Sequence, residues 1–264
     1  MPFPQRIAIL GLAGAAALLA QPVAVRRPEG IVRGFLLLSD VNGEVIASGD
    51  SAQLPTKANQ ITNRLTFRFK DGSLQEETVV FTQSGHFHVI SDRLVQEGPA
   101  FKHPIDMTVN GSTGQVTVKT TDDNGQPKVY EDRIKPPPDL ANGIVPVILK
   151  NLPPGVQSTT QSMVVATPKP LVVKLEIAAE GEDSFTIGAM RQKATRYKIH
   201  VDIGGVKGVL ASVVGKQPPD TRVWIAQGDC PGIVKSEGPS FEGGPIWVTE
   251  LARPIWPGET TEAH

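Results

Sequence analysis

Cysteine is almost absent from this chain, which contains one cysteine in 264 residues. A single cysteine excludes an internal disulfide framework, so stability has to come from a packed core. Cys230 lies in Gly228-Asp229-Cys230-Pro231-Gly232, a composition typical of a turn, and no histidine follows at a useful spacing. We therefore expect an inert turn residue rather than a reactive or intermolecular thiol.

An excess of charge of one sign is also absent. The chain has 26 Lys and Arg against 27 Asp and Glu, which gives a net charge of -1. Proteins that bind nucleic acid usually present a basic face, so no nucleic-acid partner is expected. The same balance argues against tight binding to anionic lipid.

Sequence motifs of the common enzyme classes are missing. No Gly-x-Ser-x-Gly, Walker A or dinucleotide-binding fingerprint occurs. The adjacent carboxylates Glu76-Glu77 and Asp122-Asp123 split across the two faces of a strand, whereas glycosidase chemistry needs two carboxylates that face each other. We assign no catalytic residue and no cofactor, and the sequence favours a protein that is not an enzyme.

Long hydrophobic runs are limited to the N-terminus. Arg6 precedes an apolar run from Ile7 to Ala20, which is shorter than the roughly 20 residues that span a bilayer. This pattern predicts a signal peptide over residues 1–20, with cleavage after Ala20 or after Ala24; an uncleaved anchor helix is the alternative. We expect a periplasmic or secreted protein with no membrane span after the signal is removed.

Glycine and proline are plentiful, and they separate short alternating segments. Arg64 to Lys70 alternates strictly, and Asn42-Gly43, Asp71-Gly72 and Asn124-Gly125 are hairpin turns by composition. We predict an N-terminal lead and hairpin over residues 21–62, a β-rich domain over 63–253 and a flexible tail over 254–264. Residues 48–62 are polar and are predicted to be a surface connection.

A proline-rich step, Pro136 to Gly143, interrupts the strands and leads into the apolar segment Ile144 to Leu152. This segment predicts one helix near residues 142–152, with Asp139 or Asn142 as its cap. The expected fold is mainly β: a long, curved, mostly antiparallel sheet, or half-barrel, packed on one central helix.

Two connections repeat a pattern. Glu97-Gly98-Pro99 is followed by Phe101, and Glu237-Gly238-Pro239 is followed by Phe241. We interpret them as equivalent connections that each place a phenylalanine at the rim of the sheet. Candidate ligand-binding residues are therefore these two phenylalanines with the strand tryptophans, namely Phe101, Phe241, Trp224 and Trp247.

His86 and His88 form the one candidate metal site. Residues i and i+2 of a strand point the same way, so both imidazoles could hold one ion if His103, His200 or the Glu76-Glu77 pair supplied a further ligand. The alternative is a pair of ordinary strand histidines. With a two-residue loop at Ser84-Gly85, Phe81 is expected opposite His88 and Val79 opposite Ile90.

Three stretches carry a resemblance to known proteins: Phe69-Lys70-Asp71-Gly72 with Glu76-Glu77-Thr78; Pro137-Pro138-Asp139-Leu140-Ala141-Asn142-Gly143; and Gly228-Asp229, Val234-Lys235, Glu237-Gly238-Pro239 and Gly243-Gly244-Pro245-Ile246-Trp247. On these stretches the chain resembles a family of exported, β-rich bacterial proteins of unknown function, over most of its length after the signal. The family brings no assigned catalytic residues. The architecture is also similar to the half-barrel of periplasmic lipoprotein carriers, a likeness that does not fix function.

Three functional hypotheses follow. The first is an exported, non-enzymatic binding protein of the cell envelope that holds a lipophilic small molecule in the concavity of the sheet. The second is a structural or assembly module that binds an envelope protein through an edge strand or the tryptophan-bearing C-terminal strand. The third is a metal-dependent hydrolase built on His86 and His88.

Overall fold

The computed structural model describes residues 21–57, 59–153, 155–166, 170–187, 190–203 and 217–252. Within these residues one antiparallel sheet of fourteen strands and one short helix make up the fold. The strands, numbered along the chain, are β1 (Val32–Ser39), β2 (Val45–Lys57), β3 (Gln60–Phe69), β4 (Leu74–Ser84), β5 (His86–Glu97), β6 (Ile105–Asn110), β7 (Gln115–Thr121), β8 (Pro127–Arg133), β9 (Ser158–Val165), β10 (Leu171–Ile187), β11 (Met190–Asp202), β12 (Thr221–Ala226), β13 (Ile233–Pro239) and β14 (Ile246–Leu251).

The sheet consists of two meanders joined at one seam. Its order is β8-β7-β6-β5-β4-β3-β2-β1-β14-β13-β12-β11-β10-β9, so every pairing but one joins strands that follow each other in sequence. The exception is the seam between β1 and β14, where Leu36 pairs with Leu251 and Ser39 with Val248. The strand that carries Trp247 is thus interior to the sheet, and β8 and β9 are its two ends.

The sheet is strongly curved. Asn142 donates its side-chain amide to a carboxylate oxygen of Asp92 in β5 and to the backbone carbonyl of Val164 in β9. These strands are ten places apart in the sheet, which is about 48 Å in a flat sheet at the usual strand spacing. One amide group can reach both only because the two arms of the sheet, β1 to β8 and β9 to β14, bend towards each other.

Helix α1 (Val145–Asn151) lies between the two arms. Pro146 is in its first turn, where its missing N–H has no intrahelical partner to lose. Ile148 packs into a cluster with side chains of β4 to β7, whereas Leu149 packs against β10 to β12. The predicted fold class, a large antiparallel sheet with a single helix, is confirmed.

The prediction of a surface connection over residues 48–62 is wrong, because most of these residues belong to two strands. β2 continues to Lys57, and β3 begins at Gln60. On the inner face of this part of β2 the ring of Phe67 leaves room only for glycine at position 49, where a Cβ would lie 2.5 Å from it, and the buried residue at position 53 is the polar Gln53. The hydrophobic alternation that marks a strand is therefore absent there.

The expected register of β4 and β5 is corrected as well. The turn itself shifts the register by one residue, because Ser84 pairs with His86, so Phe81 lies opposite Val89 rather than His88. A β-bulge between Val80 and Phe81 adds a second residue of shift and places Val79 opposite Asp92 rather than Ile90. A bulge adds a residue to one strand without a signal in its hydrophobic pattern.

The lead before β1 is tied to the domain. Ala24 forms a β-bridge with His86, and the Asn151 side-chain oxygen accepts the backbone N–H groups of Arg26 and Arg27. Glu29 forms an ion pair of 2.6 Å with Lys150, and both side chains are largely buried. The predicted signal peptide, residues 1–20, and the predicted tail, residues 254–264, lie outside the described residues. No helix in the described part is long and apolar enough to cross a membrane.

Candidate functional site at the closure of the sheet

A pair of carboxyl groups lies on the inner face of β4 and β5. Asp92 is directly opposite Val79, and Glu77 is two residues from Val79 on the same face. Asp92 is 2% exposed, whereas Glu77 is half-buried. The inner face thus brings two acidic groups together in a surrounding of buried apolar side chains.

Burial controls the protonation of this pair. It raises the pKa of Glu77 to about 7. Burial also raises the pKa of Asp92 well above its usual range, the negative charge of Glu77 raises it further, and the hydrogen bond from Asn142 acts in the opposite direction. Like charges on one face of two adjacent strands resist ionising together, so the pair retains a proton near neutral pH.

Asn142 joins this pair to the far end of the sheet. Its side-chain oxygen accepts the backbone N–H of Val164 at 2.8 Å, and its amide donates to the Val164 carbonyl at 2.9 Å. The same amide lies 3.4 Å from one oxygen of Asp92, and the other oxygen of Asp92 is buried without a hydrogen-bond partner. The side-chain amide of Asn142 therefore pairs with the backbone of β9 as the peptide group of a neighbouring strand would.

The backbone beside Asn142 continues this pairing. Leu140 forms a parallel bridge with Ser162, and Ala141 donates its N–H to the Ser162 carbonyl at 2.8 Å. Gly143 follows with a φ of 65°, and a Cβ there would lie 2.7 Å from the Cβ of Val79. The segment from Asp139 to Gly143, which we name the closing segment, covers the outer edge of β9 and rests on β4 and β5.

A second polar group anchors the start of the closing segment. The Ser162 hydroxyl donates to Asp139 at 2.8 Å and accepts from the Lys174 ammonium at 2.7 Å. A serine–lysine pair can act in acyl transfer only if the lysine removes the serine proton. Here the proton points to the carboxylate and Ser162 is fully buried, so the group is suited to holding the segment rather than to catalysis.

Asp139 and Asn142 do not cap the helix, which corrects the prediction. The residue at the N-cap position is Ile144, and no side chain bonds to the free backbone groups there. Both polar residues instead bind β9, because the segment runs alongside that strand before it turns into α1.

Three of the four candidate ligand-binding residues meet in one aromatic cluster. The rings of Phe101 and Phe241 are 5.4 Å apart, and Trp247 lies 6.1 Å and 5.7 Å from them; Phe69 completes the group. Phe101 and Trp247 are 5% and 7% exposed. The contacts of these rings are therefore mainly with one another.

The repeated glycines have matching roles in this region. A Cβ at Gly98 would lie 2.7 Å from the hydroxyl of Ser73, and one at Gly238 would lie 2.3 Å from the hydroxyl of Thr221. Each connection therefore passes close to a small side chain, and this close approach requires glycine.

Trp224 is apart from the aromatic cluster, on the outer face of the sheet. Its indole N–H donates to Asp183 at 2.7 Å, and the ammonium of Lys235 lies 5.1 Å from its ring. Glu180, Arg196, Arg222 and Glu237 line the shallow groove around it. Because these charges pair with one another, the groove has no excess charge to attract an ion.

His86 and His88 are exposed on β5, opposite Ser84 and Thr82. Neither of these neighbours supplies a strong metal ligand. Among the residues that the structure describes, no group of three or more histidine, cysteine or acidic side chains could hold a metal ion.

The carboxyl pair was not predicted, although a signal for it exists in the sequence. In the predicted register as in the observed one, Glu77 and Asp92 fall on the same face of adjacent strands. The acidic pairs considered from the sequence were neighbours along the chain, and these split across two faces. A search for acidic residues across neighbouring strands would have found the pair.

No protein-family model matches the chain, and no curated protein matches it. Among solved structures, the crystal structure of MucB in complex with MucA(peri) is similar over 85% of this chain and 89% of that chain. The sequence identity is 13% and the TM-score is 0.20. A score this low carries no argument, so the resemblance to exported bacterial proteins stays a prediction.

Proposed function

We propose that this chain is an exported, non-catalytic protein of the cell envelope that binds a protein partner through the outer face of the β1–β2 hairpin. The observation that carries the proposal is a row of exposed apolar side chains on that face. The outer patch, as we name it, consists of Ile31, Phe35, Leu37 and Leu54.

The pairing of β1 with β2 supports this grouping. Leu36 and Leu38 are buried on the inner face, so Phe35 and Leu37 point outwards, opposite Asp50 and Ser48. Phe35 is 64% exposed and Leu37 is 38% exposed.

The two remaining members extend the row along the hairpin. Leu54 is 39% exposed and follows the buried residue Gln53, so it lies on the outer face. Ile31, which directly precedes β1, is 73% exposed. Four large apolar side chains on one solvent-facing surface are typical of a site that another molecule covers.

The surroundings of the outer patch favour a protein as its occupant. Arg68 and Asp50 form an ion pair of 3.0 Å beside Phe35, and Arg33 is exposed on the same face. An apolar centre with a charged, hydrated rim is the usual composition of a protein–protein interface.

The inner face gives less support to a lipophilic small molecule. Three groups of buried apolar side chains occupy it: one around Ile144 and Ile148, one around Phe101 and Trp247, and one around Leu149 and Ile177. Because the closing segment and α1 contribute to this packing, the concavity is filled by the chain itself. An apolar ligand would have to displace side chains that already contact each other.

Site-specific photo-crosslinking in cells tests the proposal. A photoreactive phenylalanine analogue at Phe35 or Leu37 is expected to capture one discrete envelope protein, because such probes react within contact distance. The same analogue at Met190, which is 62% exposed on β11, is the matched control and should not capture it.

A competition experiment decides the outcome. The variant Phe35→Ser should abolish capture from Leu37 while leaving the unfolding midpoint unchanged, since the residue is exposed. Equal capture from all three positions, or saturable binding of a lipophilic fluorophore that Phe35→Ser leaves intact, would contradict the proposal.

A further inference from the structure

The two ends of the sheet differ in how they are covered. The outer edge of β9 is paired with the closing segment through Leu140 and Ala141. β8 is the last strand on the other side, six of its seven residues are exposed, and within the described residues no segment pairs with its outer edge. A strand at the end of a sheet presents backbone donors and acceptors that can pair with a further strand.

From this open edge we infer that β8 pairs, antiparallel, with β8 of a second copy of this chain. The inference goes beyond the proposed function, because it concerns a different surface and a different partner. It rests on three observations: the uncovered edge, the position of Tyr130, and the charges at Lys128 and Asp132.

Tyr130 marks the inner face of β8. It is partly buried and packs against the cluster around Ile144 and Ile148, whereas its neighbours Val129 and Glu131 are exposed. Lys128 and Asp132 are two residues away on either side, so they share the face of Tyr130. A two-fold axis perpendicular to the sheet keeps the inner faces of both copies on one side and lets this core continue across the contact.

Charge selects the register of such a pairing. With the axis at Tyr130, Lys128 faces Asp132 of the partner subunit, Asp132 faces Lys128 of the partner subunit, and the two tyrosines face each other. With the axis at Glu131, two glutamates face each other, which is unfavourable. With the axis at Val129, Lys128 faces a tyrosine and no opposite-charge pair forms between these residues.

The charges are available for this contact. Lys128 lies 3.4 Å from Asp122 in a solvent-exposed ion pair, which contributes little and is readily exchanged. A contact made by one edge strand is small, so we expect a dimer that forms reversibly and depends on protein concentration.

Charge reversal tests the inference by sedimentation analysis over a concentration series of the purified protein. Lys128→Asp and Asp132→Lys each place like charges opposite each other twice in the dimer, and each should weaken dimerisation about tenfold. The double variant Lys128→Asp with Asp132→Lys restores both opposite-charge pairs and should restore dimerisation. Because the double variant also lacks the original Lys128–Asp122 ion pair, its recovery assigns the effect to the contact between copies.

A disulfide trap tests the register independently. In a Cys230→Ser background, Tyr130→Cys places two thiols across the axis at the separation of directly opposed residues, about 5 Å between Cβ atoms, and should cross-link on oxidation. Val129→Cys is the matched control, because its counterpart is displaced by two residues and about 7 Å along the strand.

Three results would overturn the inference. The first is that the protein stays monomeric throughout the concentration series. The second is that all three charge variants dimerise as strongly as the parent protein. The third is that Val129→Cys cross-links as efficiently as Tyr130→Cys. A single cooperative unfolding transition establishes that each variant is folded, with a lower midpoint expected only for Tyr130→Cys, which loses packing against the core. Since none of these residues belongs to the outer patch, failure here leaves the Phe35 experiment intact, and the reverse also holds.

Discussion

The side-chain amide of Asn142 lies 3.4 Å from the carboxylate of Asp92, and it is the same amide that donates to β9. A residue of the closing segment therefore touches both arms of a fourteen-stranded sheet. The contact also places a buried acid, with one unpartnered oxygen, at the point where the arms converge. Stability and protonation are consequently linked at this position.

Replacement of Asn142 by alanine is expected to destabilise the fold by about 3 kcal/mol, because the variant leaves buried backbone groups of Val164 without partners. The measurement is the free energy of unfolding in urea. Asn42→Ala is the matched control: it removes one hydrogen bond to Asp40 in an exposed turn, and its cost should stay below about 1 kcal/mol. Equal effects of the two variants would show that Asn142 does not join the arms.

The stability of the protein should fall as the pH rises from about 4.5 to about 7. The pKa of Glu77 is raised from an ordinary value of 4.5 to about 7, so between these values the folded state binds more protons than the unfolded state. The stabilising effect of that proton is fully present below about pH 4.5 and is lost above about pH 7. We expect a decrease in the free energy of unfolding on the order of 2 kcal/mol over this window.

Glu77→Gln should weaken this pH dependence, of which the buried Asp92 retains a part, and should make the protein more stable than the parent above about pH 7, because a neutral amide replaces a buried charge. Glu176→Gln, at an exposed position of β10, is the control and should leave the profile unchanged. The carboxyl groups of Asp40, Asp106 and Asp122 have lowered pKa values, so the stability that they contribute is lost only in acid, at pH values below the ordinary aspartate pKa of 3.8. A flat parent profile between about pH 5 and about pH 8 would contradict the assignment.

Gly143→Ala should cost more than the same change at a glycine in open space. Both Gly143 and Gly125 have positive φ, at 65° and 74°, so alanine is strained by about 1 kcal/mol at either position. Only at Gly143 does the new methyl group also meet Val79, and nothing lies within 4 Å of the corresponding position at Gly125. We therefore expect Gly143→Ala to exceed Gly125→Ala by about 1–3 kcal/mol in urea unfolding.

Much of the fold is readable from the sequence where side chains alternate. The strict pattern of Arg64 to Lys70 and the turns at Asn42-Gly43, Asp71-Gly72 and Asn124-Gly125 predict the first meander, and these strands are observed. The apolar face of Ile144 to Leu152 likewise predicts the helix, which runs from Val145 to Asn151. In these segments the local pattern and the tertiary packing favour the same structure.

The rest depends on contacts between distant residues. Residues 48–57 belong to a strand in which Gly49 makes room for Phe67 and the buried Gln53 is polar, so their own composition does not indicate burial. Asp139 and Asn142 have the composition of helix caps, but β9 offers Asp139 the hydroxyl of Ser162 and offers Asn142 the backbone of Val164, both far away in sequence. The candidate site could be predicted only from the pairing of β4 with β5, and it survives the observed shift of that pairing because a shift of two residues leaves Glu77 and Asp92 on the same face.

The seam between β1 and β14 has a consequence for the order of folding. Hairpins between successive strands close short loops and form early, whereas the seam joins residues from opposite ends of the described chain. A nascent polypeptide emerges N-terminus first, so the meander from β1 to β8 becomes available before the strands that complete its core. Until β14 is synthesised, the edge of β1 that does not face β2 has no strand to pair with. During that interval the incomplete chain is most exposed to aggregation and most dependent on a chaperone.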